Sequence, residues 1–493
     1  MKFIPIPGAV NIVIFGANGD LCRRKLIPAL FNLYLGDFLP LKHRIFCIDH
    51  TEREEADYKN YLLEGVNEFS RQGKADPPAW DSFSKNLHYV VGDFTDQATY
   101  QHLIKELSGL DNETGKRCER LFYYSVAPRF IETISEGLFK NKVANNPKLD
   151  RIIIEKPFGH DLKSAVALNK FLKSRYKESQ LYRIDHYLGK ETVQNIMAFR
   201  FANNIFEPLW NNKHIDCIEI SALEQVSVGS RAGYYDTAGS VRDMIQSHVL
   251  QLLCVTAMES PENLNAEEIR NKKMEVARSI VPLDQKNLKK TVVTGQYTTG
   301  EINGQKQVAY LDEPKVSKDS ITDTYFAGEF YINNKRWKGV PFYLRTGKCL
   351  VRQSSSIVIN FKKSSCKVFK EDINANQLII RIQPENEIDL TFESKVPGLE
   401  MKLKNVMMDF AYKSAYTEQI PEAYEALILD AIKGDATLFM RADQVEAAWK
   451  IVMPIIRAID DKKLKPELYT AGSWGPENAE KLLKKSKRTW TIK

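Results

Sequence analysis

The chain has 493 residues, 43% hydrophobic and 27% charged, with a formal net charge of +7. That length exceeds what one core supports, so two domains are expected, and the composition excludes disordered, fibrous and disulfide-stapled classes. The charge surplus is small for the size, and its densest run is the tail Lys484-Lys485-Ser486-Lys487-Arg488. A solvated helix face explains that run better than a nucleic-acid patch, so no nucleic-acid partner is expected. Seven cysteines stand at 22, 47, 118, 217, 254, 349 and 366 with no C-x-x-C pair. Such a dispersed, odd set argues against a disulfide framework or a zinc site, so no metal is expected and a reducing cytoplasm fits. The N-terminus lacks a signal-peptide core and no apolar run reaches the ~18 residues of a membrane helix, so no membrane partner is expected.

Val10 to Phe15 is a β-branched run suited to a buried parallel strand. The turn Gly16-Ala17-Asn18-Gly19-Asp20-Leu21 follows, and then a helical pattern through Leu26, Leu30, Leu33 and Tyr34. Strand, glycine turn and helix are the setting of a dinucleotide site, where backbone N–H groups meet a pyrophosphate. The G-x-x-G here is sparser than the usual fingerprint and is weak evidence alone. Arg44 to Asp49 reads as the second strand and ends in an acid. Such an acid can bind the adenosine ribose hydroxyls and disfavour a 2′-phosphate. Asp49 fits a turn-initiating role equally well.

Residues 54–86 are polar and helical in pattern, broken at Pro77-Pro78. Leu87 to Asp93, Arg120 to Val126 and Arg151 to Glu155 read as the third, fourth and fifth strands. Their alternation with helices predicts a doubly wound parallel sheet. Lys156 stands just past the carboxyl end of its strand, where such sheets bind ligands.

The block Arg183-Ile184-Asp185-His186-Tyr187-Leu188-Gly189-Lys190-Glu191 gathers acids, bases and an imidazole in nine residues. On a helix His186 and Lys190 would share a face and could hold a phosphate, although ordinary i,i+4 pairs fit as well. Beyond Lys190 the pattern turns to alternation, in 217–224, 357–361, 378–382 and more loosely 388–392. Helical stretches lie at 242–258, 422–432 and 443–456. The expected fold is α/β + α+β, with a Rossmann-type domain at 1–183 and a mostly antiparallel α+β domain at 184–493.

Taken with Glu155-Lys156-Pro157-Phe158-Gly159, Arg231-Ala232-Gly233-Tyr234-Tyr235-Asp236, Asp243-Met244-Ile245-Gln246-Ser247-His248 and 340–348, the nine-residue block closely resembles the glucose-6-phosphate dehydrogenase family, nearly end to end. The resemblance implies oxidation of the anomeric C1 hydroxyl of glucose 6-phosphate with hydride transfer to NADP or NAD, the first step of the oxidative pentose phosphate pathway. It implies His248 as the catalytic base and Asp185 as its carboxylate partner; without it, His248 reads as a buried helix residue. It implies His186, Tyr187 and Lys190 at the 6-phosphate, and Lys156, Glu224, Asp243, Lys348 and Arg352 around the sugar, Arg352 with a one-residue uncertainty in register. Asp243 and His248 are five apart, about 140° round an α-helix, so spacing alone does not join them.

For the cofactor the resemblance implies Gly16, Asn18, Gly19, Asp20, Leu21, Asp49, Thr51, Asp93, Tyr123, Lys156 and Pro157, with a cis bond before Pro157. It also implies a dimer or tetramer built through the second domain's large sheet. The match breaks after strand two. The NADP-using members carry an Arg where this chain has Thr51, between Asp49 and Glu52. Arg53 is close enough to swing back, but the local charge is unfavourable to a phosphate, which points to NAD use.

A sugar dehydrogenase of the glucose-fructose oxidoreductase type is the alternative, since it shares Glu-Lys-Pro after a Rossmann strand. The joint presence of His186 and Lys190 argues against it. A dinucleotide-binding regulator without catalysis would lack a base or a clamp, and none is missing.

Overall fold

The Val-Asn-Ile-Val-Ile-Phe run forms the central strand, β1 (Ala9–Phe15), in the computed structural model, which describes residues 8–369 and 372–493. Its seven residues are all buried, as expected of a parallel strand covered on both faces. β2 (Lys42–Asp49), β3 (Leu87–Val91), β4 (Glu119–Tyr124), β5 (Asp150–Ile154) and β6 (Leu181–Ile184) join it in a parallel sheet ordered β6-β5-β4-β1-β2-β3. The strand order reverses between β1 and β4, so the crevice for a ligand opens at their carboxyl ends. The polar stretch after β2 splits into helices Glu55–Phe69 and Pro77–Ser84, the second with proline at its first turn and an Asp76 cap on the Ala79 N–H.

This first unit is discontinuous. It runs to Lys190 and takes in Pro261–Asn271 and Pro421–Glu446. A single cut between residues 183 and 184 therefore differs from the division seen. The physical reason lies in two late segments. The strand Phe439–Met440 pairs antiparallel with β6 and becomes the sheet's seventh strand. In the helix Ala423–Lys433, the buried Glu425 carboxylate accepts from Arg71 Nε and Nη2 at 2.7 and 2.9 Å and from Asn32 Nδ2 at 3.1 Å.

The second unit comprises Glu191–Ser260, Lys272–Ile420 and Ala447–Lys493. Its nine-stranded sheet has β7 (Ile215–Leu223) at the centre. Ser354–Phe361, Gln377–Gln383, Glu387–Lys395 and Leu403–Ala411 follow on one side, each pair antiparallel. On the other side Pro341–Gly347 runs parallel to β7, and Tyr325–Tyr331, Val292–Thr298 and Glu467–Thr470 complete the sheet. The sheet is thus mostly antiparallel with two parallel pairs.

Against it lies a continuous helical rod. Val241–Val249 is wound as a π-helix and passes directly into the α-helix Leu250–Ala257. The rod is pinned at both ends. Trp210 and Trp337, both fully buried, donate their indole N–H groups to the carbonyls of Thr256 and Ala257 at 2.8 and 2.7 Å. At the start, Asp323 accepts from the Val241 N–H at 3.0 Å and from the Ser240 hydroxyl. Gly239 takes φ +67, and a Cβ there would stand 2.5 Å from Asp323 Oδ1, so only glycine fits. Among the described residues no helix is long and apolar enough to cross a membrane.

Candidate active site

In the first unit, Gly16 leaves β1 with φ +87, and a Cβ on it would meet the Ser125 carbonyl oxygen at 2.2 Å. The turn therefore runs against the end of β4, at the reversal of strand order. Gly16 and Ala17 N–H groups donate to Ile48 O at 3.0 and 3.1 Å, and Gly19 N–H to Gly16 O at 3.1 Å. A helix starts at Asp20 and widens through a π-helical stretch at Cys22–Leu26. Its first N–H groups lack helical partners, which suits a pyrophosphate. Leu21 is half-buried at this start, while exposed Asp20 takes Arg24 at 3.4 Å.

Asp49 ends β2 and is buried. Its Oδ2 accepts from the Asn18 N–H at 3.1 Å, and Oδ1 from the Thr51 N–H and hydroxyl at 3.3 and 3.1 Å. Burial pushes its pKa up, but the Asn18 and Thr51 hydrogen bonds outweigh it and hold the carboxyl below its ordinary value. Asn18, Asp49 and Thr51 thus form one cluster, closed by Tyr89, whose hydroxyl accepts from Asn18 Nδ2 and donates to Thr51 O. The Arg53 guanidinium stacks over the Tyr61 ring at 4.7 Å.

Two of the expected cofactor residues have other duties. Asp93, exposed after β3, accepts from the Thr95 N–H and hydroxyl, both at 2.7 Å, which lowers its pKa. Tyr123 is buried and its hydroxyl donates to Glu155, which also takes the Tyr424 hydroxyl at 3.2 Å. Tyr123 can meet a cofactor through its backbone at the end of β4, and its side chain belongs to this buried cluster.

Lys156, half-buried, follows β5, and the Lys156–Pro157 bond is cis as the resemblance implied. Gly159, at φ +78, brings the loop against the helix Leu162–Lys173, which Asp161 caps through the Ser164 N–H at 2.7 Å.

The block 185–190 is not helical. It is a pair of tight turns between β6 and the helix Glu191–Phe201, with Leu188 N–H on Asp185 O at 3.0 Å and Lys190 N–H on Tyr187 O at 3.2 Å. Asp185 Oδ1 also caps the Tyr187 N–H at 3.0 Å. The shared helix face expected for His186 and Lys190 therefore does not exist. Turn chemistry replaces it, because the Asp185 side chain offers the backbone an alternative to helix and Gly189 packs 2.7 Å from Ala423 O by its missing Cβ. The Lys190 ammonium lies 4.6 Å from the centre of the Tyr187 ring, and His186 stands edge-on to that ring at 5.0 Å. Burial is the main cause that lowers the Lys190 pKa to about 8; Glu422 opposes it and Lys25 adds to it.

In the second unit, parallel β7 and Pro341–Gly347 end side by side, which sets Glu224 beside Lys348. Lys348 Nζ donates to Glu224 Oε2 at 2.7 Å, and the backbones interlock through Glu224 N–H on Gly347 O at 2.9 Å. Asp243 and His248 are both buried on the π-helix. The wider π-winding, with its i→i+5 hydrogen bonds, brings positions five apart nearer to one side of the helix than α-helical spacing does. Arg352 lies further along the chain and pairs with Glu385 at 2.8 Å.

Two residues of this region were not singled out from sequence. Tyr235 is buried with Lys348 5.3 Å from its ring centre, and burial followed by the charges of Asp323, Asp243 and Glu224 pushes its pKa up. Asp323 holds the start of the π-helix, and burial lifts its pKa to about 6. Tyr235 lies within a quoted motif and could have been picked out; nothing local marks Asp323.

Two family models match almost the whole chain: "Glucose-6-phosphate dehydrogenase, NAD binding domain" over residues 13–195 and "Glucose-6-phosphate dehydrogenase, C-terminal domain" over 197–491. Glucose-6-phosphate 1-dehydrogenases of Rhizobium meliloti and Dictyostelium discoideum are 40% and 41% identical, over 99% and 97% of this chain and 99% and 94% of theirs. A solved glucose-6-phosphate dehydrogenase in complex with glucose 6-phosphate superposes with a TM-score of 0.91 at 33% identity, covering 98% of each chain. A levoglucosan dehydrogenase, at 10% identity, TM-score 0.51 and coverage of 92% of this chain and 97% of its own, shares the fold alone. The chain belongs to the glucose-6-phosphate dehydrogenase family and is an oxidoreductase with a nicotinamide-dinucleotide-binding domain.

Proposed function

We propose that this chain oxidises the C1 hydroxyl of D-glucose 6-phosphate to 6-phosphoglucono-1,5-lactone, in the cytoplasm, as the first step of the oxidative pentose phosphate pathway. The observation that carries this reading is family membership across residues 13–195 and 197–491 with the block 183–191 intact. A bound NAD or NADP supplies the hydride acceptor. The Gly16 turn, which runs against Ser125 with no room for a Cβ, together with the helix start behind it, suits such a dinucleotide.

The chain's own residues supply the rest. The His248 imidazole takes the O1 proton, because an imidazole accepts a proton at neutral pH without being protonated beforehand. The Asp185 carboxylate steadies the imidazolium that results. His186, Tyr187 and Lys190 take the 6-phosphate, the first and last as charge-assisted donors. Glu224, Lys348, Asp243, Lys156 and Arg352 direct the sugar hydroxyls. Asp49 accepts from the adenosine ribose and repels a 2′-phosphate, so NAD is used at least as well as NADP.

The test is reduction of either cofactor with glucose 6-phosphate against glucose. Two charge-assisted contacts to the phosphate are worth roughly 3 kcal/mol together, so a preference of about a hundredfold in kcat/KM is expected. Equal activity on glucose contradicts the reading and favours the glucose-fructose oxidoreductase type.

A homo-oligomer is part of the same proposal. Leu403–Ala411 is an edge strand, paired among the described residues only with Glu387–Lys395, and Met407, Met408 and nearby Met401 and Leu399 are all more than half exposed. An apolar edge of this kind calls for a covering partner. Light scattering should give at least a dimer, and a monomer contradicts it.

A further inference from the structure

The basic tail run contributes one residue, Lys485, to a separate basic feature. In the second unit a cleft of about 550 Å³ opens beside the edge strand Glu467–Thr470. Three segments send lysines to it: Lys289 and Lys290 from the turn Leu288–Thr291, Lys462, Lys463 and Lys465 from the loop before the edge strand, and Lys481 and Lys485 from the C-terminal helix and just beyond it. Seven lysines face one carboxylate, Glu467, which is itself held by Asn478 Nδ2 at 2.8 Å. The cleft thus carries a formal +6 in a chain whose whole surplus is +7. Outside it the protein is close to neutral.

The cleft is built rather than incidental. The Lys463 and Leu464 N–H groups both donate to Ala458 O, at 2.8 and 2.9 Å, which fixes the central loop on the helix Ala442–Asp460. Lys485 Nζ donates to Lys290 O at 2.5 Å and ties the other two segments together. The floor is apolar and buried, made by Val292, Leu464 and Leu482. Lys463 has an acid of its own, Asp461 at 2.8 Å, and the end of a helix accounts for basic residues in that loop. Neither explains why Lys289, Lys290, Lys481 and Lys485 converge on the same space, where like charges repel unless an anion lies between them. The volume is that of a small-molecule site, not of a duplex groove.

We propose that this cleft binds a compact polyphosphate chain, free or carried on a nucleoside, at a site separate from the residues assigned to the reaction. Calorimetric titration of the full-length protein with tripolyphosphate at physiological ionic strength should show one saturable site per chain. The combined variant Lys290→Gln, Lys465→Gln, Lys481→Gln should bind at least tenfold more weakly, with unchanged turnover in the absence of the anion. The matching triple Lys→Arg variant should keep the affinity, which separates loss of charge from loss of fold. ATP should lose affinity in the Gln variant too if the chain is carried on a nucleoside, and tripolyphosphate alone should do so if it is free. The proposal is overturned if tripolyphosphate shows no saturable binding at millimolar concentration, if the Gln variant binds it as wild type does, or if sulfate at equal ionic strength binds as tightly. A single-stranded RNA that binds these lysines when tripolyphosphate does not would also overturn it.

Discussion

In the proposed function, Asp49 decides cofactor choice through its charge. Its hydrogen bonds from Asn18 and Thr51 hold its pKa below the ordinary value, and Arg53 is stacked on Tyr61. On that proposal a 2′-phosphate would sit beside this carboxylate, with Thr51 next to it and Arg53 held on Tyr61. NAD should therefore match or exceed NADP in kcat/KM, and a preference for NADP above about tenfold, some 1.4 kcal/mol, would refute this. The double variant Asp49→Ala, Thr51→Arg should move the ratio toward NADP.

Lys190 gives a second residue-scale outcome. Its pKa is lowered to about 8, mainly by burial. The ammonium is present below that value and lost as pH rises through it, so the proposed clamp on the phosphate should weaken from pH 8 upward. KM for glucose 6-phosphate should climb across that window while kcat changes little. Lys190→Arg, which stays charged, should remove the climb, and Lys190→Ala should raise KM at every pH.

At the scale of elements, β1 to β5, the helices either side of Pro77 and the strands near 217–224, 357–361 and 378–382 were legible, because alternation and β-branching are local signals. The nine-residue block was legible as chemistry and misjudged as shape. Its i,i+4 spacing fits a helix, but Asp185 caps the backbone and the segment folds into turns. The π-helix was hidden for the opposite reason. The rod that contains it is held by partners distant in sequence: Asp323 and Trp337 lie 82 and 80 residues further along the chain, and Trp210 lies 46 residues before its partner. No local pattern announces π-winding, so the placement of Asp243 and His248 on it could not be read from spacing.

The Gly16 turn offers a direct test at this scale. Gly16→Ala would place a Cβ 2.2 Å from Ser125 O at φ +87. A residue with a Cβ costs about 1–2 kcal/mol at positive φ before any clash is counted. The variant should melt earlier and bind either dinucleotide at least tenfold more weakly. Wild-type affinity for both would show that the turn does not carry the cofactor.

For the whole molecule, the discontinuous first unit matters most. Its sheet takes a strand from Phe439–Met440 and its packing takes Glu425, both far along the chain. Sequence gives no sign of this, because a two-residue strand and one buried acid have no periodicity. Glu425→Ala removes four hydrogen bonds, one of them from the Glu422 N–H, and leaves Arg71 without that carboxylate. Since Arg71 keeps 21% exposure, the loss should be near the low side for a broken buried pair, about 2–3 kcal/mol, seen as an earlier melting transition. An unchanged transition would mean that the segment 421–446 does not stabilise the first unit.

All of these scales meet in one group, the imidazole on the π-helix. The decisive measurement is steady-state turnover of glucose 6-phosphate by His248→Asn, with folding checked by its melting transition. The account predicts a fall in kcat of several orders of magnitude with KM little changed, since the base acts in the transition state. A variant that keeps more than about a tenth of wild-type kcat, a loss below 1.4 kcal/mol, would contradict it.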